Sequence, residues 1–391
     1  MADFRFQGDI PGSKSVFNRA LIVKSYFPSL VLNGHSACDD VRFMTDGISK
    51  ISTRSHIDCG EGGTTFRFLA LRVSRQAGEH ILDASSRLLE RPQKGLLDLM
   101  HQLGVQAEIK NRALHLRSSG WQQPKAPLQV NTTESSQYAS ALVLNAWLLD
   151  FDLEFILVGE KVSESYFLLT LEMLKTLGMQ ILKTDTGFKI PAGQKTSSQN
   201  WTVEPDMSSA FTMAAAGALA GEARLTNFPF SSTQPDFVFK DIFARMHVDF
   251  SVEGPTFTAT NRLPLQAVDV DLFQSPDLFP VLAVLCSWAQ GISRLYGAPH
   301  LVSKESNRIA KTAELLKLVG IQHQVLADGM IVHGNPQQAL VKGVAFNPDK
   351  DHRMVMAAAL MKLKGHDIKI EEPAVINKSF PEFWDMIGVR P

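Results

Sequence analysis

An amphipathic helix followed by a glycine and an alternating strand recurs along this chain, and that recurrence limits what the chain can fold into. The copies are LLDLMHQLGVQAEI from Leu96, LEMLKTLGMQIL from Leu171, VFKDIFARMHVDF from Val238, TAELLKLVGIQHQV from Thr312 and FPEFWDMIGV from Phe380. Their central residues are Gly104, Gly178, His247, Gly320 and Gly388, spaced 74, 69, 73 and 68 residues apart. A glycine just past the last apolar helical position marks a helix C-terminus, and the alternation of Val105, Ala107 and Ile109 reads as a strand. A degenerate sixth copy, VRFMTDGISKI, starts at Val41. The regular spacing predicts one supersecondary module used about six times. The period exceeds that of the usual solenoids, so each module carries several strands.

At 391 residues the chain is too long for one ordinary core, which predicts two domains. Hydrophobic residues make up 45% and charged residues 20%, the profile of a globular protein. A net charge of -1 argues against a broad nucleic-acid or acidic-membrane surface, so any anion site must be a local concentration of Lys and Arg. Cys38, Cys59 and Cys286 are isolated, which supports neither a disulfide framework nor a zinc site and predicts a reducing cytoplasm. The N-terminal MADFRFQGDI lacks a signal-type apolar run, and the apolar stretches near Phe211–Ala220 and Leu278–Ala289 are too short to span a bilayer.

Several polar clusters need explaining. Residues 11 to 19 deliver Lys14, two serine hydroxyls and Arg19 after a Pro-Gly turn. With a helix starting near Ser13, Ser15 and Arg19 share a face, and the first-turn N–H groups point the same way as Lys14. Asp58 to Arg67 is glycine-rich, which lets backbone N–H groups approach a ligand closely. Arg87 and Arg91 are helical neighbours unless Pro92 pulls Arg91 into an extended conformation. Ser135, Ser136 and Gln137 precede an apolar helix, and Ser163 to Tyr166 open another. Asp277 stands ahead of an apolar helix, Lys304 and Arg308 are spaced i,i+4 with Glu305 between them, and Lys378 follows late. Asp351, His352 and Arg353 open an apolar helix: the aspartate can cap it, and an anion ahead of its N-terminus is stabilised by the helix dipole.

In this order, PGSKS-x-x-NR, GGTT-x-R, the Arg91 of ERP, SSQ, S-x-x-Y, KES-x-R, DHRM and the late K-S-F-P resemble the motifs of the enolpyruvyl transferase family from Pro11 to Pro381. The resemblance implies an α/β (α+β) fold of two domains, each of three βαβαββ units in an inside-out barrel, with the active site in the cleft between them. It implies a discontinuous domain, 1–12 plus 205–391, and an inserted one, 13–204. Also implied are enolpyruvyl transfer from phosphoenolpyruvate to the 5-hydroxyl of shikimate 3-phosphate in the shikimate pathway, no cofactor, no metal, no nucleic-acid or membrane partner, and a cytoplasmic monomer. Carried over by position, Lys14, Gly63, Arg91, Gln137, Arg308, Arg353 and Lys378 surround phosphoenolpyruvate. Lys14, Ser15, Arg19, Ser135, Ser136, Gln137, Ser163, Tyr166, Asp277 and Lys304 hold shikimate 3-phosphate. Lys14, Asp277 and Glu305 are the acid/base groups, and Arg67 matches a family arginine at the cleft. Gly63 predicts that glyphosate, the family's phosphoenolpyruvate-site inhibitor, fits.

The chemistry asks for these residue types. One hydroxyl loses a proton and one methylene gains one, so at least two positioned acid/base groups are needed. Two anionic substrates side by side call for many cations. Glu61 departs from the family's usual asparagine and is expected to pair with Arg67 or Lys14. Phe68 replaces a smaller residue, and His300 replaces a frequent asparagine. His352, beside Arg353, joins Glu61, Arg67 and His300 as a further site candidate. No cysteine lies between Ser85 and Glu90, which sets the chain apart from the sister enzymes acting on UDP-N-acetylglucosamine.

Overall fold

The computed structural model describes residues 4–391. The chain falls into two compact units, one formed by the residues up to Pro11 with Pro205–Pro391 and the other by Gly12–Glu204.

Each unit repeats one sheet plan. In the 12–204 unit, His56–Asp58 runs parallel to Gly78–Asp83, which pairs antiparallel with Ala113–Ser118, and Gln106–Lys110 closes the order. Leu128–Asn131, Leu153–Val158, Phe188–Ile190 and Leu182–Lys183 repeat that order. A reduced copy pairs Val31–Asn33 with Asn200–Thr202 in parallel. The other unit has two full sheets, built around Gly221–Leu225 and Ile292–Tyr296, and a reduced pair, Val344–Phe346 with Ile368–Ile370. Helices join the parallel strands, so each full module reads βαβαββ, and six modules in all answer the sequence repeat.

The glycine punctuation is a helix C-terminal lock. Val105 N–H donates to Met100 O at 3.0 Å and Gly104 N–H to His101 O at 3.0 Å. The same bond pair closes the helices before Gly178, His247 and Gly320. Gly104, Gly178, Gly320 and Gly388 have φ of 77°, 99°, 75° and 70°, and His247 adopts the same left-handed conformation at 56° despite its side chain. The sixth copy departs from this plan: Gly47 lies inside helix Asp39–Ser49, packed with its Cα side toward Leu69 and Ile57. Gly388 is followed by no strand among the described residues.

The most apolar helices form the centre of each unit. Met207–Ala220, Phe279–Ser287 and His352–Leu363 are buried on nearly all sides in one core. Gly63–Ser74 and Gln137–Leu144 are buried likewise in the other, beside Lys14–Tyr26. A helix apolar all round must be wrapped by other elements. Its sides are therefore unavailable for chemistry, and its ends are what it can present.

Candidate active site

Many of the candidate residues stand at the N-terminal end of a buried helix. In the 12–204 unit these ends are Ser13–Lys14, Gly62–Arg67 and Ser135–Gln137. Asn18 Nδ2 donates to Thr64 Oγ1 at 3.2 Å, joining the first two. The Arg67 guanidinium joins the second and third, donating to Gln137 Oε1 at 2.7 Å and Ser135 Oγ at 3.4 Å. It also donates to Gln93 Oε1 and Pro92 O, and stacks over the Tyr138 ring at 5.1 Å. Gly63 lies under this cluster: a Cβ there would stand 3.2 Å from Gln137 Oε1 and 3.4 Å from Arg91 Nη1. Arg91 is extended, as Pro92 requires, caps the short helix Ser86–Glu90 and makes no ion pair among the described residues.

Lys14 Nζ pairs with Asp40 Oδ2 at 2.9 Å. Asp40, from helix Asp39–Ser49, is a partner that reading the sequence missed. Its signal was an acid sharing a helix face with Met44 and Gly47, which are buried with it. Ser163 has a left-handed backbone, φ 52°, and a buried hydroxyl with no hydrogen-bond partner among the described residues. Strain beside an unsatisfied polar atom is a mark of a ligand position. Ser136 is buried at a helix N-cap, and Ser15 and Tyr166 sit in first turns.

Two expectations change here. Arg19 does not stand out toward a ligand. It is buried and donates to Thr170 Oγ1 (2.7 Å), Ser15 O (2.8 Å) and Tyr166 O (3.1 Å), tying together the backbone around two candidate serine and tyrosine positions. Burial pulls its guanidinium down to about 10. Glu61 is half-buried and, among the described residues, pairs with neither Arg67 nor Lys14. Both cations are directed to other partners.

In the 205–391 unit the candidates form a chain of alternating charge. Arg353 Nη2 meets Asp277 Oδ2 at 3.1 Å, and Asp277 Oδ1 meets Arg308 Nη1 at 2.7 Å. Arg308 Nη2 meets Glu305 Oε2 at 3.1 Å, and Glu305 Oε1 meets Lys378 Nζ at 3.1 Å. Asp351 lies behind Arg308, accepting from its Nε at 2.8 Å. Asp351 and Asp206 are both side-chain caps, of helices His352–Leu363 and Met207–Ala220. Burial alone would raise the Asp277 carboxyl, but Arg353 and Arg308 overcome it and hold the group well below the usual carboxylate range. The same carboxylates push Arg308 and Arg353 up against the opposing effect of burial.

Lys304 and Arg308 do not share a helix face, because the helix begins at Arg308 and Lys304 is extended. Lys304 acts through charge instead, helping to lower Asp277. His300 packs edge-on against Phe273 at 5.6 Å, and burial with nearby Lys304 pulls it down to about 3, so its imidazole is neutral. His352 is buried as the first residue of its helix, with Nδ1 3.7 Å from Asp351 Oδ1. Among the described residues no group of three or more His, Cys, Asp or Glu side chains is placed to hold a metal ion, and no helix is long and apolar enough to cross a membrane.

The fold is that of the enolpyruvyl transferases. The chain superposes on the solved EPSP synthase of Acinetobacter baumannii with a TM-score of 0.77 at 20% identity, covering 99% of this chain and 95% of that one. The profile of the EPSP synthase (3-phosphoshikimate 1-carboxyvinyltransferase) family matches residues 34–387. The 3-phosphoshikimate 1-carboxyvinyltransferase of Pyrococcus abyssi is 32% identical over 393 residues, 96% of this chain and 92% of the relative. That of Syntrophobacter fumaroxidans is 29% identical over 412 residues, 98% and 97% of the two chains. This chain belongs to the EPSP synthase family and is an enzyme, a transferase of the shikimate pathway of aromatic amino-acid biosynthesis.

Proposed function

We propose that the chain moves the enolpyruvyl group of phosphoenolpyruvate to the 5-hydroxyl of shikimate 3-phosphate, and that the two clusters described above perform the transfer. Family membership supports the reaction, and the alternating chain Arg353–Asp277–Arg308–Glu305–Lys378 carries the assignment of residues. In this reading Lys14, Ser15, Ser135, Ser136, Gln137, Ser163, Tyr166, Asp277 and Lys304 hold shikimate 3-phosphate, with Arg19 supporting two of them from behind. Lys14, Gly63, Arg91, Gln137, Arg308, Arg353 and Lys378 hold phosphoenolpyruvate. The division into 1–12 plus 205–391 and 13–204 follows the same reading, as do a cytoplasmic location, consistent with three free buried cysteines, and a monomeric state.

The reaction needs a proton taken from the 5-hydroxyl, attack of that oxygen on the central carbon of phosphoenolpyruvate, and a proton delivered to its methylene carbon. The tetrahedral adduct then expels inorganic phosphate. Asp277, Glu305 and Lys14 are the groups able to move those protons. Held between two arginines, Asp277 is a weak base. The phosphate and carboxylate of phosphoenolpyruvate compete for the same guanidinium groups. Each interaction they take from Asp277 raises its proton affinity, so the second substrate's charge prepares the base for the first substrate's hydroxyl.

The test is phosphate release from phosphoenolpyruvate by the purified protein, with shikimate 3-phosphate in one reaction and UDP-N-acetylglucosamine in another. Release with shikimate 3-phosphate alone is expected. Silence in both, from folded protein, refutes the reading and makes Glu61→Asn the first variant to try.

A further inference from the structure

We propose that Asp351 is a positioning residue for the reaction, fixing from behind the two arginines that hold the anionic substrate. The proposal rests on the reading of Arg308 and Arg353 as phosphoenolpyruvate residues.

Asp351 differs from the other two carboxylates of the network. Asp277 and Glu305 retain 22% and 16% side-chain exposure, whereas Asp351 has none. A substrate can therefore reach the first two and not the third. Besides His352, whose Nδ1 stands 3.7 Å from Oδ1, the Asp351 carboxylate meets Arg308, Ser306 and the start of the segment bearing Arg353. Its Oδ2 accepts from Arg308 Nε at 2.8 Å and from Ser306 Oγ at 3.0 Å. Its Oδ1 accepts from Arg308 Nη2 at 3.4 Å and from the Arg353 backbone N–H at 2.9 Å.

The two contacts to Arg308 set the rotation of its guanidinium plane. Two oxygens against the Nε–Nη2 edge leave the outer corners of the guanidinium directed at Asp277 and Glu305, so both acid/base carboxylates are spaced by one rigid fork. The backbone contact caps helix His352–Leu363 through the N–H of its second residue, Arg353, which bears the second arginine side chain. One buried carboxylate thus fixes the aim of Arg308 through charge and that of Arg353 through the backbone. Small errors in such aim reduce rate steeply, because the arginines must meet charge that is already placed.

Asp351→Asn keeps the shape and one acceptor but turns an N–H donor, or a neutral oxygen, toward Arg308 Nε. The expected result is a rise of about ten- to hundredfold in KM for phosphoenolpyruvate, with KM for shikimate 3-phosphate within about twofold of the native value. Asp351→Glu does not rescue it, because a fully buried site has no space for another methylene. Ser306→Ala, which removes one neutral contact to the same carboxylate, raises KM for phosphoenolpyruvate several-fold, and it decides the matter if the Asn variant fails to fold. A lowered melting temperature with both KM values unchanged makes Asp351 merely structural and overturns the proposal. So does an equal rise in both KM values. Absence of phosphate release from the native protein would instead sink the functional reading on which the proposal rests.

Discussion

The two units hold their arginines in opposite ways, although Lys14 of the 12–204 unit is paired to a carboxylate, Asp40. In the 205–391 unit Arg308, Arg353 and Lys378 are each bound to carboxylates, and the group is close to neutral as it stands. In the 12–204 unit Arg67 is held by amide, hydroxyl and carbonyl oxygens, and Arg91 has no ion pair among the described residues. A cation without a carboxylate partner, as Arg91 is among the described residues, keeps charge to offer an incoming dianion. Carboxylate partners cancel it but supply groups that can take and give protons. The difference places both acid/base carboxylates, Asp277 and Glu305, in the 205–391 unit.

Removing a central arginine from each unit gives the largest contrast. Arg308→Met strands the wholly buried Asp351 and takes one cation each from Asp277 and Glu305, and should cost about 3–5 kcal/mol of unfolding free energy in urea titrations. Arg67→Met breaks bonds to neutral groups and should cost about 1.5–3 kcal/mol. Equal losses would break the comparison. Arg91→Met should raise KM for phosphoenolpyruvate about ten- to hundredfold while leaving the melting temperature unchanged. A lower melting temperature would show that Arg91 is structurally committed after all.

Acid should act on the self-neutralised unit. Asp277 has its folded value depressed, so its contribution to stability is fully present above its unfolded value, about pH 4, and is lost as pH falls from there toward the folded value. Urea midpoints measured between pH 5 and 3 should fall for the native protein and fall less for Asp277→Asn. A parallel fall in both would remove Asp277 from the account. The smallest effect belongs to the repeat itself. His247→Gly relieves a left-handed side chain but loosens the unfolded chain, for a net gain below about 1 kcal/mol in urea unfolding. Destabilisation would mean that the imidazole packs usefully there.

Much of this architecture was legible because punctuation and periodicity are local. Gly104, Gly178 and Gly320 mark helix ends whatever packs around them, and His247 was found by its place in the series. The clusters were visible as polar residues opening apolar helices. What escaped is non-local. Asp40 looks like an ordinary acid in a helix first turn until helix Asp39–Ser49 brings it to Lys14. Arg19 shares a face with Ser15 as its spacing predicts, yet Thr170, far along the chain, turns it inward. Glu61 invited a partner from its neighbours, but Gln137 and Asp40 occupy them. Which cation a carboxylate meets is decided by tertiary packing.

Several site-bearing helices, among them Phe279–Ser287 and His352–Leu363, are innermost elements of their unit, and that has a consequence for motion. Amides of Phe211, Val284 and Ala358 lie in segments sheathed on every side, so they exchange with solvent only when the whole unit opens. The end that carries Arg353 is thus anchored to backbone expected to be among the slowest to exchange. Fluctuations of the outer sheets can leave the aim of the arginines undisturbed.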